Sequence, residues 1–146
     1  EIMPSLVGSE MCIRDSIICL DDNNGLAFNH RRQSQDRIVA EDIRKTVGEK
    51  KLWITDYSRK LFQAVSNLEI SENPKEEAKE GEYVFQELET LDTDDEQIEQ
   101  FIIYRWNRVY PADVSVEIGA EWKLTETEEF SGFSHEKITK EIYCRE

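Results

Sequence analysis

Three guanidiniums, an imidazole, a hydroxyl, three side-chain amides and a carboxylate fall within the stretch Phe28 to Arg37 (FNHRRQSQDR). Arg31, Arg32 and Arg37 offer forked donors that match phosphate or carboxylate oxygens. Gln33 and Ser34 can orient such a group. A helix capped by Ser34 would point its free backbone amides at the same place. His30 can exchange a proton near neutral pH, and Asp36 and His135 complete the candidate acid/base set. These residue types describe a site for an anionic ligand. The competing account pairs the arginines internally with Asp36, Glu41, Asp42 and the acidic segment of residues 72–99, and both accounts fit the sequence.

Two further clusters bear on the same site. Tyr104 to Tyr110 interleaves aromatics with arginines, so Trp106 and Arg108 can stack on and neutralise a flat anion. The same run also fits a strand packed into the core. Ser134-His135-Glu136-Lys137 sets a hydroxyl beside a base. Sequence neighbours on a strand point to opposite faces, which makes a turn or cap the expected role. His135 joins Trp106 and Arg108 at the pocket only if the last strands return beside the first.

Several chemistries are absent from the pattern. A dinuclear zinc hydrolase needs several histidines, and only His30 and His135 are present. A mononuclear site from those two and a carboxylate is the remaining metal arrangement, and no metal is expected. The six glycines are scattered, so neither a P-loop nor a dinucleotide fingerprint exists, and no cofactor is expected. The thiols have no spaced base and there is no Gly-x-Ser-x-Gly elbow, so no local acyl-transfer motif is present.

The elements that must position these residues alternate between strand and helix. Ile17 to Leu20 is a short apolar strand, and Asn24-Gly25 is a strong turn signal. Ile38, Val39, Ile43 and Val47 share a helical stripe ended by Gly48. Leu52-Trp53-Ile54 is a strand, and Asp56 caps a second helix with Tyr57, Leu61, Phe62 and Val65 on its buried face. Leu68 to Ile70 and Tyr83 to Phe85 are strands around a charged loop. Residues 94–100 read as a short helix before the strand Phe101 to Trp106. Val114, Val116 and Ile118, then Trp122 and Leu124, then Ile138 to Cys144 alternate as half-buried strands. The fold class is α/β: one domain, a mixed, mostly β sheet with two to three flanking helices and a C-terminal antiparallel hairpin.

The chain has 146 residues and a net charge of −14. Residues 30–60 sum to +4 and residues 72–99 to −10. The imbalance fits a small anionic ligand or nucleotide held locally and disfavours RNA, which a strongly acidic protein repels. No apolar run approaches the roughly 20 residues of a membrane span. Three cysteines without a paired spacing fit a cytoplasmic setting. Residues 1–16 (EIMPSLVGSEMCIRDS) lack the layout of a signal peptide and resemble sequencing-adapter read-through. They are expected to be a non-native extension before a domain spanning 17–146.

FNHRRQSQDR, the Tyr57, Ser58, Lys60, Leu61, Phe62 pattern, GEYVF, YRWNRVYPAD and SHEKITKEIY together resemble a family of small bacterial, Firmicutes-type proteins. Members are in places given the name ribonuclease Z, which implies a hydrolase that trims transfer RNA 3′ ends. The HxHxDH zinc motif of that enzyme is missing here. A weaker likeness is to dihydrofolate reductase. The first strand with Asp-x-Asn-x-Gly, the strand and helix at Leu52 to Val65, and the closing hairpin from Trp122 to Tyr143 have a similar order. This likeness implies an α/β outline, with Asp36 loosely in the place of the pterin-gripping carboxylate. The reductase's Gly-Gly cofactor loop and its Leu-Pro-Trp are absent.

Overall fold

The computed structural model describes residues 14–29, 31–62, 65, 67–72, 78–79, 81–86, 98–116 and 122–145. Ten strands are formed among them: β1 (Arg14–Leu20), β2 (Gly25–Phe28), β3 (Arg31–Arg32), β4 (Leu52–Ile54), β5 (Leu68–Ile70), β6 (Tyr83–Phe85), β7 (Ile98–Arg105), β8 (Val114–Ser115), β9 (Trp122–Phe130) and β10 (Ile138–Arg145). Helix α1 spans Arg37–Val47 and a 3-10 helix spans Asp56–Phe62. Seven strands make one sheet in the order β5-β4-β6-β1-β7-β10-β9, and β3-β2-β8 make a small second sheet.

The central strands run parallel. β1 pairs with β6 and β7, and β4 pairs with β5 and β6. Strands covered on both faces read as unbroken apolar runs, and Ile17-Ile18-Cys19-Leu20 and Phe101-Ile102-Ile103-Tyr104 are such runs. Their alternate residues feed two cores. Ile17, Cys19, Ile102 and Tyr104 pack with Val39, Ile43 and Val47 of α1 and with Phe62 and Phe85. Ile18, Leu20, Phe101 and Ile103 pack on the opposite face with Leu26, Val116 and Trp122.

The C-terminal hairpin forms as expected. β10 runs antiparallel to β7 and to β9, with Ile142 opposite Ile102 on one side and Glu126 on the other. β9 is an edge strand and is mostly exposed beyond Trp122. Its Lys and Glu side chains suit an edge that must not pair further.

Several expectations need correction. The first strand starts at Arg14, not Ile17, and Asp15 and Ser16 already pair with β6 and β7; residues 1–13 lie outside the described residues. The cap of α1 is Asp36, not Ser34: its carboxylate accepts from Ile38 N at 2.9 Å. Gly48 ends the helix with φ 62°, and its N–H reaches Arg44 O. The second helix is a 3-10 segment, and Tyr57 lies 40% exposed rather than on the buried face. Residues 98–100 belong to β7 rather than to a helix, because Ile98 is drawn into the core. The other residues of that expected helix, 94–97, lie outside the described set, as does Ile118. Asn24-Gly25 turns the chain, with Asn24 at φ 60°, but β1 and β2 go to different sheets.

Candidate functional site

The loop between β3 and α1 meets the loop between β9 and β10 over the end of the central sheet. Asp36 is the meeting point. Its Oδ1 accepts from Ile38 N and from Phe133 N at 2.8 Å. Its Oδ2 accepts from Ser134 N at 2.9 Å, from Ser134 Oγ at 3.2 Å and from His135 Nδ1 at 2.9 Å. Burial alone would push this carboxyl up. The donors from Phe133, His135, Ser134 and Ile38 outweigh burial and hold it well below the usual carboxylate range. An ionised carboxylate only accepts, so His135 carries its proton on Nδ1.

In the tautomer with its proton on Nδ1, Nε2 is the acceptor nitrogen. Ser34 Oγ and Tyr110 OH each lie 3.1 Å from it. The imidazole is 5% exposed and stacks on Trp106, with ring centroids 4.7 Å apart and planes at 24°. Trp106 itself is held by β7, whose register places it at the sheet end, where its N–H reaches Leu20 O. Tyr110 is fixed from below by Asp21. That buried carboxylate accepts from Tyr110 N, Gly25 N, Asn23 N and Gln33 Nε2. Burial raises the Asp21 carboxyl, and these four donors more than reverse the effect.

A narrow cleft opens beside this network. Arg32, Gln33, Ser34 and Gln35 form its polar wall, and Val39, Ile43, Phe62, Phe85 and Trp106 are among its apolar walls. Its free space is about 20 Å³, on the order of one water or one methyl-sized group. Next to it lies a wider hollow of about 490 Å³ bordered by Arg37, Lys60, Leu61, Phe133 and Ser134. Gln35, Asp36, Ala40 and Leu61 border both.

The sequence-selected residues divide in three. Arg32, Gln33, Ser34, Asp36, Arg37 and Trp106 border the cleft or the hollow, and His135 borders neither but is joined to them through Ser34, Asp36 and Trp106. Arg31 and Arg108 border neither space; both are exposed, and Arg108 contributes its backbone carbonyl to Asp22 N. Arg31 points outward because β3 pairs with β2 through two residues only, with Phe28 opposite Arg31. His30 lies outside the described residues.

Aromatic rings and amide or carbonyl oxygens receive two of the arginines among the described residues. Arg32 lies over the Tyr57 ring at 4.3 Å and donates to Gln35 Oε1 and Tyr57 O. Arg37 lies 4.0 Å over the Phe133 ring. Asp42 takes Lys140 and the Tyr104 hydroxyl instead. Among the described residues no ion pair involves Arg31, Arg37 or Lys60. No group of three His, Cys, Asp or Glu side chains among them is placed to hold a metal ion.

Sequence reasoning missed Lys60 and Phe133 as hollow residues and Tyr110 as a partner of His135. Tyr110 carried a signal, because it ends the aromatic-arginine run. Lys60 and Phe133 carried none, since their placement depends on two loops meeting across the sheet.

One solved structure, a dihydrofolate reductase from Enterococcus faecalis complexed with NADP(H) and RAB-propyl, superposes with a TM-score of 0.63 over 91% of this chain and 96% of that one, at 11% identity. The chain has the fold of dihydrofolate reductase. No protein-family model and no curated protein matches the sequence, so the ribonuclease Z likeness gains no support. Of the two likenesses, the one to dihydrofolate reductase is carried by the fold. The Asp36 carboxylate, loosely likened to the pterin-gripping group, is engaged by protein donors. Five protein donors occupy its oxygens, and a carboxylate has about four lone-pair sites.

Proposed function

We propose that this protein binds a small anionic ligand in the hollow between α1, the 3-10 helix and the β9–β10 loop. The observation that carries the reading is the cationic, aromatic rim. Arg37, with Phe133 beneath it, and Lys60 border a space of ligand size, and neither cation is tied to a carboxylate among the described residues. Pockets that take small molecules are typically a few hundred Å³, largely apolar, with a few placed polar groups. Leu61, Ala40 and Phe133 supply the apolar part. Arg32 and Gln33 reach the adjoining cleft, where Gln33 Oε1 is a buried acceptor with no partner among the described residues. A donor on the ligand would satisfy it. The solved neighbour's complex with NADP(H) adds nucleotides to the candidate ligands.

A thermal-shift panel tests it: a nicotinamide dinucleotide phosphate, a folate, a nucleoside monophosphate and an aryl phosphate. A ligand at 100 times its Kd adds about 2.7 kcal/mol, a shift of several degrees for a chain this size. At least one panel member stabilises the protein, and the effect disappears in the Arg37→Ala, Lys60→Ala double variant. No shift with any member, or a shift that the double variant retains in full, overturns the proposal.

A further inference from the structure

Anion binding leaves one arrangement unexplained. Ser34 Oγ, His135 and Asp36 stand in line: 3.1 Å from hydroxyl to Nε2 and 2.9 Å from Nδ1 to the carboxylate. Hydroxyl, imidazole and carboxylate in this order, at these distances, are recognised by geometry and not by sequence position. The three residues come from the β3–α1 and β9–β10 loops, which explains why no local motif announced them. We propose that Ser34 is an acyl-accepting nucleophile, with His135 as its general base and Asp36 as the group that orients the imidazole.

The parts are on the correct sides of one another. Ser34 is half-buried and borders the narrow cleft, whereas His135 lies behind it, shielded by Trp106. Asp36 has no freedom to turn away, because four donors besides His135 fix it. Nδ1 therefore keeps its proton, and the Nε2 lone pair faces the Ser34 and Tyr110 hydroxyls, each at 3.1 Å; only Ser34 of the two borders the cleft. A positioned base of this kind contributes about 100-fold or more. Arg32 and Gln33 lie on the same wall; both already donate to protein acceptors, and a developing oxyanion would have to share those donors.

The substrate class follows from the cleft. It admits a group of about methyl size, so the acyl part is acetyl-like and the alcohol part extends outward. Ser34 Oγ bonds to the ester carbonyl carbon while its proton passes to His135 Nε2. The carbon–alcohol bond breaks, and His135 returns the proton to the departing oxygen. Water then repeats the attack with the same base, releasing the acid and restoring Ser34.

Methanesulfonyl fluoride is a probe small enough for this cleft. The serine oxygen replaces fluoride on sulfur and the proton goes to His135. Intact-mass and peptide mass spectrometry of the wild-type chain should show one methanesulfonyl group, on Ser34. Ser34→Ala should take up none. His135→Asn keeps an N–H donor for Asp36 and should be labelled about 100-fold more slowly while remaining folded by circular dichroism. p-Nitrophenyl acetate hydrolysis should fall in parallel, and p-nitrophenyl octanoate should be a poor substrate. A wild-type chain left unmodified at Ser34 overturns the proposal even if both variants misfold, and so does equal labelling of folded His135→Asn. Labelling needs no anionic ligand, so its failure and that of the thermal-shift panel are separate results.

Discussion

Asp36 is asked to cap α1, hold the β9–β10 loop and orient His135 at once. Its folded-state pKa is depressed below the ordinary aspartate value of about 3.9. Below that value the unfolded chain binds the proton more readily than the folded one. The stabilisation from Asp36 is therefore complete above about pH 5 and is lost as pH falls through about 4 toward the depressed folded value. Asp36→Asn retains a capping side chain but loses the charge. Chemical denaturation at pH 7 should show it less stable by about 2 kcal/mol. Between about pH 5 and 3 its stability should fall less steeply than that of the wild type. Equal acid slopes for the two chains would refute the assignment. At this scale the sequence was half legible. The residue types at Arg32 to Arg37 announced a polar site, and Asp36 and His135 were both named as candidates. Their mutual contact was not visible, because 99 positions separate them. Nor could residue type show that Asp36, rather than Ser34, would cap the helix.

At the scale of elements, the C-terminal hairpin does more than close the sheet. Its turn supplies Phe133, Ser134 and His135 to the helix N-terminus, and Gly132 makes the approach possible. A Cβ at Gly132 would sit 2.7 Å from Asp36 Oδ2 and 3.0 Å from His135 O. Neither neighbour can retreat easily: one is a buried carboxylate in a filled network and the other is backbone bonded to Gly132 N. Gly132→Ala should therefore destabilise the protein by about 2 kcal/mol and lower Tm by roughly 5 °C, as read by calorimetry. An unchanged Tm would mean that the two loops are not packed as described. The long periodic elements were readable in advance: the Val39, Ile43, Val47 stripe for α1, and period two for β10. Short elements were not. The 3-10 helix and the N-terminal end of β7 are decided by what they pack against, and local pattern cannot report that.

Over the whole molecule, charge distinguishes a small-ligand site from a nucleic-acid surface. The net charge of −14 repels any anion at a distance, whereas Arg37 and Lys60 attract one only at contact range. The Debye length is about 10 Å at 0.1 M salt, so added salt weakens the distant repulsion first and the close contacts least. Association of a phosphate monoester, followed by stopped-flow fluorescence of Trp106 and its neighbours, should therefore become faster as salt rises from about 20 to 150 mM. A polyanion held by counterion release behaves oppositely, with affinity falling steadily over the same range. A monoester rate that falls with salt would mean that the positive field extends well beyond the hollow. Residues 30–60, which sum to +4, would then act as a surface rather than as the rim of a pocket.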